Sequence, residues 1–264
     1  MPDVAAVLDD LREESQELDI LVRELSAGQW AAPTPAPGWD IAHQIAHLTW
    51  TDEVALLAAT DADAFAREAA KAMEAPETFV DRGAEEVAAP DPAALLARWR
   101  RGRERLEGAL RDAPAGARIP WYGPPMSVAS MATARIMETW AHGQDVADAL
   151  GVTRTPTARL RHVARIGVRA RDYAYLVRGI EAPREDFRVE LEAPDGEMIA
   201  FGAEDASQRV GGPLVDFCLL VTRRAHRDDL AVRATGPDAD RWLDIAQAFA
   251  GPPGPGRSPR GGGK

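Results

Sequence analysis

Cysteine is almost absent from this sequence of 264 residues. The single one, Cys218, excludes an intramolecular disulfide and a cluster of thiolate metal ligands. Cys218 lies in the apolar run 215–221, which predicts a buried and inert thiol. A thiol that takes part in the chemistry of this protein would therefore come from a small molecule.

Long hydrophobic runs are also missing. No apolar stretch approaches the roughly 20 residues that are needed to span a bilayer. Residues 1–4 have neither the basic patch nor the apolar stretch that is typical of a secretory signal. We therefore expect a cytoplasmic protein that has no membrane partner.

Lysine is rare and occurs only at Lys71 and Lys264, so the basic residues are almost all arginine, and acidic residues outnumber them to give a formal net charge of −11. Phosphate binding needs clustered cations, so the sequence predicts no nucleic-acid partner. The G-x-S-x-G, phosphate-loop, G-x-G-x-x-G and H-E-x-x-H motifs are absent too, which excludes the enzyme classes that depend on them.

Apolar residues at helical spacing predict four long helices in residues 1–153. The first covers residues 4–25, the second begins at the N-cap Asp40, the third opens at Asp91-Pro92, and the fourth runs from Ser127 to Gly151. An acidic stretch from about 61 to 89 predicts a helical excursion with a loop. Four long helices joined in this way are typical of a four-helix bundle.

Residues 154–250 have a different character and predict a smaller α+β domain. Alternating apolar residues on both sides of Pro194-Asp195-Gly196 indicate a β-hairpin. A helix from about 213 to 224, a strand over 230–234 and a closing helix through Trp242 and Phe249 follow. Residues 251–264 are rich in Gly, Pro, Arg and Ser and predict a disordered tail.

Two of the predicted bundle helices carry residues that suit a metal ion. Glu138 and His142 are four residues apart, so a helix places them on one face, and His47 can approach from a facing helix. Glu138 has apolar neighbours, where an unpaired carboxylate would be costly to bury. Three protein ligands with one position left open are typical of a catalytic metal, whereas a structural site has four.

Nearby polar residues leave alternatives open. His43, one turn before His47, is either a fourth ligand or a residue that lines the pocket. Asp145 is either a carboxylate that orients a ligand histidine or a solvated side chain. Arg223 and Arg224 end an apolar helix, where the dipole favours cations, and one of them is also a candidate carboxylate clamp.

These motifs resemble those of the mycothiol-dependent maleylpyruvate isomerase-like proteins in the DinB-like metalloenzyme superfamily. The stretch from Gly38-Trp39 to Ala46-His47-Leu48 is similar to the first metal motif of the family, and Glu138, His142 and Asp145 are similar to the second. The resemblance implies a mainly α protein, with an N-terminal DinB-like four-helix bundle followed by a smaller α+β, sterol-carrier-like domain.

The resemblance also implies roles for single residues. His47, Glu138 and His142 would hold a divalent metal, usually zinc, and Arg224 would be the catalytic arginine, with Arg223 as the second choice. The sequence departs from the pattern of the family at two places. Thr222-Arg223-Arg224 stands where a Gly-Arg pair is common, and His43 stands where an acidic residue is common. Both changes leave the metal ligands in place and bear on which substrate the protein takes.

The implied function is that of a divalent-metal-dependent enzyme. It would activate a low-molecular-weight thiol such as mycothiol for isomerisation or S-transfer on a small electrophilic substrate. Two alternatives remain open, a non-catalytic protein that binds metal and a small ligand, and a metal-dependent hydrolase. A face of the bundle is compatible with a homodimer, although nothing in the sequence requires one.

Overall fold

Helices dominate the first half of the computed structural model, which describes residues 3–74, 78–88, 91–251 and 254–260. The chain divides into two units, Met1–Arg154 and Thr155–Lys264. In chain order, the elements of the first unit are α1 (Val4–Val22), α2 (Ala27–Trp30), α3 (Ile41–Thr60), α4 (Ala62–Glu74), α5 (Phe79–Val87), α6 (Pro92–Asp112), β1 (Arg118–Ile119), β2 (Met126–Ser127) and α7 (Val128–Leu150).

The four long helices α1, α3, α6 and α7 form the bundle that the sequence predicted, and α3 contacts both α6 and α7. Ile41, Ile45 and Leu48 of α3 are fully buried. Each such side chain contributes about 1.5–3 kcal/mol by leaving water. Because α3 is buried on several faces, the side chains that it carries are held in defined positions.

The predicted helix boundaries follow from their capping residues. The carboxylate of Asp40 accepts a hydrogen bond from the backbone N–H of His43 at 2.9 Å, and Ser127 caps α7 in the same way. Gly151 ends α7 in the left-handed region with φ 66°. The first helix is shorter than predicted and ends at Val22, because a capping box at Ser26 starts α2.

The excursion predicted over residues 61–89 consists of α4 and α5, and residues 75–77 and 89–90 lie outside the described part of the chain. Helix α5 packs on α3. A short ladder of β1 and β2 closes the loop before α7, with Ile119 opposite Met126.

The second unit is a small α+β fold. In chain order its elements are α8 (Leu160–Arg169), α9 (Arg171–Leu176), β3 (Phe187–Glu192), β4 (Met198–Phe201), β5 (Gln208–Pro213), α10 (Leu214–Val221), a 3₁₀ turn (Arg227–Asp229), β6 (Arg233–Thr235) and α11 (Pro237–Ile245). The strand order is β4-β3-β5-β6, in which β3 and β5 are parallel and the other pairs are antiparallel. The rings of Phe187 and Phe217 pack edge-on against Trp242 in its core.

The predicted hairpin is confirmed by the pairing of β3 with β4. Strand β5 was not predicted, because Gly211 and Gly212 interrupt the alternation of apolar side chains, and the strand depends on its pairing with β3. The predicted strand over 230–234 begins later, at Arg233, after the 3₁₀ turn. The closing helix ends at Ile245, so it carries Trp242 and not Phe249.

Helix α10 ends three residues earlier than predicted, because Arg223 takes a left-handed conformation with φ 60°. The N–H of Arg224 bonds to the carbonyl of Leu219 and that of Arg223 to the carbonyl of Leu220. This pattern is a Schellman motif, whose left-handed position usually holds glycine. Cys218 of α10 is fully buried, as predicted, and burial raises the pKa of its thiol well above the ordinary value.

The predicted disorder of residues 251–264 stays a prediction, and residues 252–253 and 261–264 lie outside the described residues. Residues 254–259 contain no helix or strand. Within the described ranges, no helix combines the length and the apolar character that crossing a membrane requires.

Candidate metal centre

Three side chains from two helices meet at one point in the bundle. His47 comes from α3, and Glu138 and His142 come from α7. Oε2 of Glu138 lies 3.4 Å from Nε2 of His47 and also 3.4 Å from Nε2 of His142. One ligand atom from each residue lies within 4.8 Å of the other two, and no second group of this kind occurs among the described residues.

These distances fit a tetrahedral metal site. Zinc binds imidazole nitrogen at about 2.0–2.1 Å and carboxylate oxygen at about 2.0–2.2 Å, so neighbouring ligand atoms in a tetrahedron lie about 3.4 Å apart. Both of the measured N–O distances have this value. Two imidazoles and one carboxylate also form a ligand set that catalytic zinc uses. The residues that are present therefore fit a divalent cation such as zinc.

A buried polar cluster holds α3 against α7 one turn from these side chains. Nε of Arg135 donates to Oδ1 of Asp52 at 2.8 Å, and Nη2 of Arg135 donates to the hydroxyl of Thr51 at 2.8 Å. The same hydroxyl donates to the backbone carbonyl of His47 at 2.9 Å. Because Arg135 precedes Glu138 by three residues, this cluster links the backbone positions of ligands on both helices.

Glu138 is held in its anionic form. Burial by itself raises the pKa of this carboxyl group, but hydrogen bonds and charge from His142 and His47 outweigh it and hold the pKa well below its usual range. Its side chain is 22% exposed, whereas the side chains of His47 and His142 are 8% and 12% exposed. Glu138 is therefore the most exposed of the three side chains.

Two tryptophan rings border the histidines. The ring of Trp39 stacks near His142, with centroids 6.0 Å apart and an interplanar angle of 23°, and lies 5.4 Å from the ring of His47. Its indole N–H donates to Asp81 of α5 at 3.1 Å. Trp50 lies 6.0 Å from His47 on another side. Aromatic rings beside the histidines lower the local polarity, which strengthens electrostatic interactions at the centre.

The residue against the second nitrogen of His142 is Gln44, which sequence reasoning missed. Nδ1 of His142 lies 2.5 Å from Oε1 of Gln44, whose side chain is fully buried. The sequence held one hint of this contact, because the polar Gln44 directly precedes Ile45, which lies on the apolar stripe of α3. Its partner is 98 positions away, so that signal did not identify the contact.

His43 lies outside the group of three ligand residues. Its Nδ1 lies 2.7 Å from Oδ1 of Asp40, and the two residues form a capping box at the start of α3. Its ring centroid is 6.3 Å from that of Trp39. The geometry therefore favours a residue at the edge of the pocket over a fourth ligand. Asp145 is fully buried on α7.

Arg223 and Arg224 follow α10 in the second unit. Nη1 of Arg224 donates to the carbonyl of Thr222 at 2.7 Å, and Nη2 of Arg223 donates to the carbonyl of Gly254 at 3.4 Å. Burial lowers the pKa of Arg223. Arg223 occupies a left-handed position with φ 60°, a conformation that favours glycine. The catalytic role of Arg224 stays a prediction.

Comparison with known proteins identifies the family. Residues 11–147 match the family described as mycothiol maleylpyruvate isomerase N-terminal domain, which is about half of the chain and includes all three ligand residues. The chain belongs to this family, as the two motifs predicted.

Two uncharacterised proteins of Mycobacterium tuberculosis, from strains CDC 1551 / Oshkosh and ATCC 25618 / H37Rv, are relatives of the whole chain. Each is 57% identical to it over 257 residues, which cover 97% of this chain and 100% of the relative.

Two solved structures share the fold. They are crystal structures of the mycothiol-dependent maleylpyruvate isomerase and of a histidine-to-alanine mutant of that enzyme. Their TM-scores are 0.58 and 0.59 at 17% and 15% identity, over 89% of this chain and 95% of theirs. The predicted fold class, a mainly α protein with a DinB-like bundle and a smaller α+β domain, is thereby confirmed.

Proposed function

We propose that this chain is a divalent-metal-dependent enzyme that activates a low-molecular-weight thiol, mycothiol, for isomerisation or S-transfer on a small electrophilic substrate. Membership of the family supports the thiol, and the ligand geometry supports the metal. The observation that carries the proposal is that Oε2 of Glu138 lies 3.4 Å from Nε2 of both His47 and His142. Three ligands leave one position of a tetrahedron for an exchangeable molecule.

The residues of the centre have separate tasks in this proposal. The two imidazoles and the carboxylate of Glu138 would hold the cation, zinc being the ion that this ligand set suits. A cation held there lowers the pKa of a thiol that reaches it, so that the thiolate is available near neutral pH. The rings of Trp39 and Trp50 border the histidines, so less water would surround a thiolate bound there.

The thiol comes from outside the chain. Cys218, the only cysteine, is fully buried with a raised thiol pKa, so it supplies no nucleophile. In an isomerisation, the thiolate sulfur bonds to one carbon of a conjugated double bond, and the π electron pair moves into the conjugated acceptor. The former double bond then rotates, and return of the pair expels the thiolate. In S-transfer, the adduct takes up a proton and leaves.

We assign Arg224 as the residue that holds an anionic group of the substrate or of the thiol. The resemblance to the family supports this role, as does the glycine-like conformation of Arg223. A guanidinium fork binds a carboxylate through two parallel hydrogen bonds. Arg224→Ala is expected to raise the KM for an anionic substrate while the metal content stays unchanged.

The metal assignment is tested by the variants His47→Ala and Glu138→Ala. Each removes one of three ligands, so we expect metal occupancy by elemental analysis to fall from near one to near zero, with helical circular dichroism preserved. The matched control is His226→Ala, whose imidazole accepts from the backbone N–H of Asp228 in the second unit. Full occupancy in both ligand variants would refute the assignment.

The activity is tested with metal-loaded protein, mycothiol and a panel of electrophiles that includes conjugated cis-diacids. Isomer formation without net thiol loss indicates an isomerase, and stoichiometric thiol loss indicates a transferase. Turnover without any thiol would overturn the proposal in favour of a hydrolase. Ligand-induced thermal stabilisation without turnover would overturn it in favour of a binding protein.

A further inference from the structure

We infer that Gln44 is a positioning residue of the metal centre, whose amide oxygen keeps His142 in the tautomer that leaves Nε2 free to bind the cation. The inference rests on the proposed function, because it takes His142 as a metal ligand. It adds a residue of the first motif stretch that sequence reasoning did not assign to the centre, and that meets His142 only through the tertiary fold.

The orientation of the Gln44 amide follows from the loop before α3. The hydroxyl of Thr34 lies 2.8 Å from the carbonyl oxygen of Trp39, and a carbonyl only accepts, so the single hydroxyl proton points there. The same hydroxyl is 2.8 Å from the amide of Gln44 and must accept from it. The NH₂ group of Gln44 therefore faces Thr34, and its oxygen faces His142.

The tautomer of His142 follows from that orientation. The oxygen of Gln44 has no proton to give, so the 2.5 Å contact requires that Nδ1 of His142 donates. A cation that binds Nε2 displaces any proton there, and the imidazole then carries its one N–H on Nδ1. Nε2 is the nitrogen that lies 3.4 Å from the Glu138 carboxylate. The hydrogen bonds thus run in one direction, from His142 through Gln44 and Thr34 to the carbonyl of Trp39.

The loop before α3, where this series of hydrogen bonds ends, is held in place by its own backbone hydrogen bonds. The backbone N–H of Thr34 donates to the carbonyl of Trp39 at 2.8 Å, and that of Ile41 donates to the carbonyl of Ala32 at 3.2 Å. A buried glutamine is costly unless both ends of its amide are bonded, and both ends are bonded here. The Gln44 side chain is therefore fully hydrogen-bonded at both ends although it lies in the apolar core.

The second histidine lacks such support. Nδ1 of His47 is buried and has no hydrogen-bond partner in the described part of the chain. Among the described residues, a fixed series of hydrogen bonds therefore reaches Nδ1 of one ligand imidazole and not Nδ1 of the other. Loss of Gln44 would remove the amide oxygen that Nδ1 of His142 contacts.

The experiment compares metal affinity in Gln44→Leu, Gln44→Glu and Gln144→Leu by competition with a chelating dye. Loss of such an outer contact typically weakens metal affinity by about 10–100-fold, which is expected for Gln44→Leu. Gln44→Glu keeps an acceptor and should bind zinc at least as well as the wild type. The matched control is Gln144, also near His142 in sequence, whose amide donates to Asp148 instead, so Gln144→Leu should have no effect.

A second measurement locates the imidazole proton of His142 directly. ¹⁵N imidazole shifts of the metal-free protein should show a proton on Nδ1 of His142, whether or not Nε2 also carries one, and Gln44→Leu should lower the proton occupancy of Nδ1. Thr34→Val, which frees the amide to rotate, should give a mixture of both tautomers and serves if Gln44→Leu does not fold. Unchanged metal affinity in Gln44→Leu, or a wild-type His142 without a proton on Nδ1, would overturn the inference. Wild-type protein that binds no metal would instead overturn the proposed function, because the tautomer is read without metal.

Discussion

Replacing Gly83 of α5 by alanine sets two physical effects against each other, because helix propensity would raise the free energy of unfolding and overpacking would lower it. A Cβ atom at this position would lie within 3.0 Å of three ring carbons of Trp50, closer than real Cβ atoms approach their neighbours. The indole is 7% exposed and packs against Phe79, with ring centroids 5.1 Å apart, and near His47 at 6.0 Å. It therefore has little room to move away.

The sign of Gly83→Ala depends on which effect is larger. Intrinsic helix propensity favours alanine over glycine by about 0.8–1.0 kcal/mol. Overpacking of a filled core costs about 1–3 kcal/mol, and overlap with three ring carbons belongs at the upper end of that range. We expect Gly83→Ala to lower the free energy of unfolding by about 1–2 kcal/mol.

The matched control is Gly108→Ala in α6, where a Cβ atom meets nothing within 4 Å. With no clash, this change should raise the free energy of unfolding by about 0.5–1 kcal/mol. Urea denaturation of both variants, with a chelator present so that bound metal does not contribute, measures the two values. An equal gain in stability for both variants would refute the packing argument, because propensity alone would then describe both sites.

Three further predictions concern buried charge and backbone strain. Asp52→Ala leaves Arg135, 2% exposed, without its carboxylate and should cost about 3–5 kcal/mol in urea denaturation; a loss below 1 kcal/mol would contradict this. Burial by itself raises the pKa of Asp19, but hydrogen bonding and charge from Arg100 and its neighbours outweigh this effect and hold the pKa below 3.8. The carboxylate of Asp19 therefore stabilises the fold above that pH. The wild type should therefore lose this contribution as the pH falls below 3.8, and Asp19→Asn should show a shallower acid loss of stability than the wild type. Arg223→Gly should raise the unfolding free energy by about 0.5–1 kcal/mol, since relief of left-handed strain, about 1–2 kcal/mol, exceeds the entropy cost of glycine; a loss would contradict this.

Local signals account for the parts of the fold that the sequence predicted. Asp40, Asp91 and Ser127 each cap a helix through their own side chains. The residues that determine where each helix starts therefore lie within three positions of one another. The hairpin of β3 and β4 likewise depends on one turn and on alternation along two short strands. Such features need no knowledge of distant contacts, because their hydrogen bonds close within the segment.

Non-local pairing explains what the sequence did not predict. Strand β5 contains Gly211 and Gly212 and has little alternation of its own, and it forms because β3 offers a parallel partner. The end of α10 depends on a left-handed arginine, a conformation that composition argues against.

The candidate metal centre divides in the same way. Helical periodicity places Glu138 beside His142, and the chemistry of their side chains nominated them together with His47. The tertiary structure alone decided that one carboxylate oxygen lies 3.4 Å from both imidazoles, and that Gln44 faces Nδ1 of His142. The physical reason is range: periodicity acts over one turn of a helix, whereas contacts between residues more than 90 positions apart depend on how α3 and α7 pack.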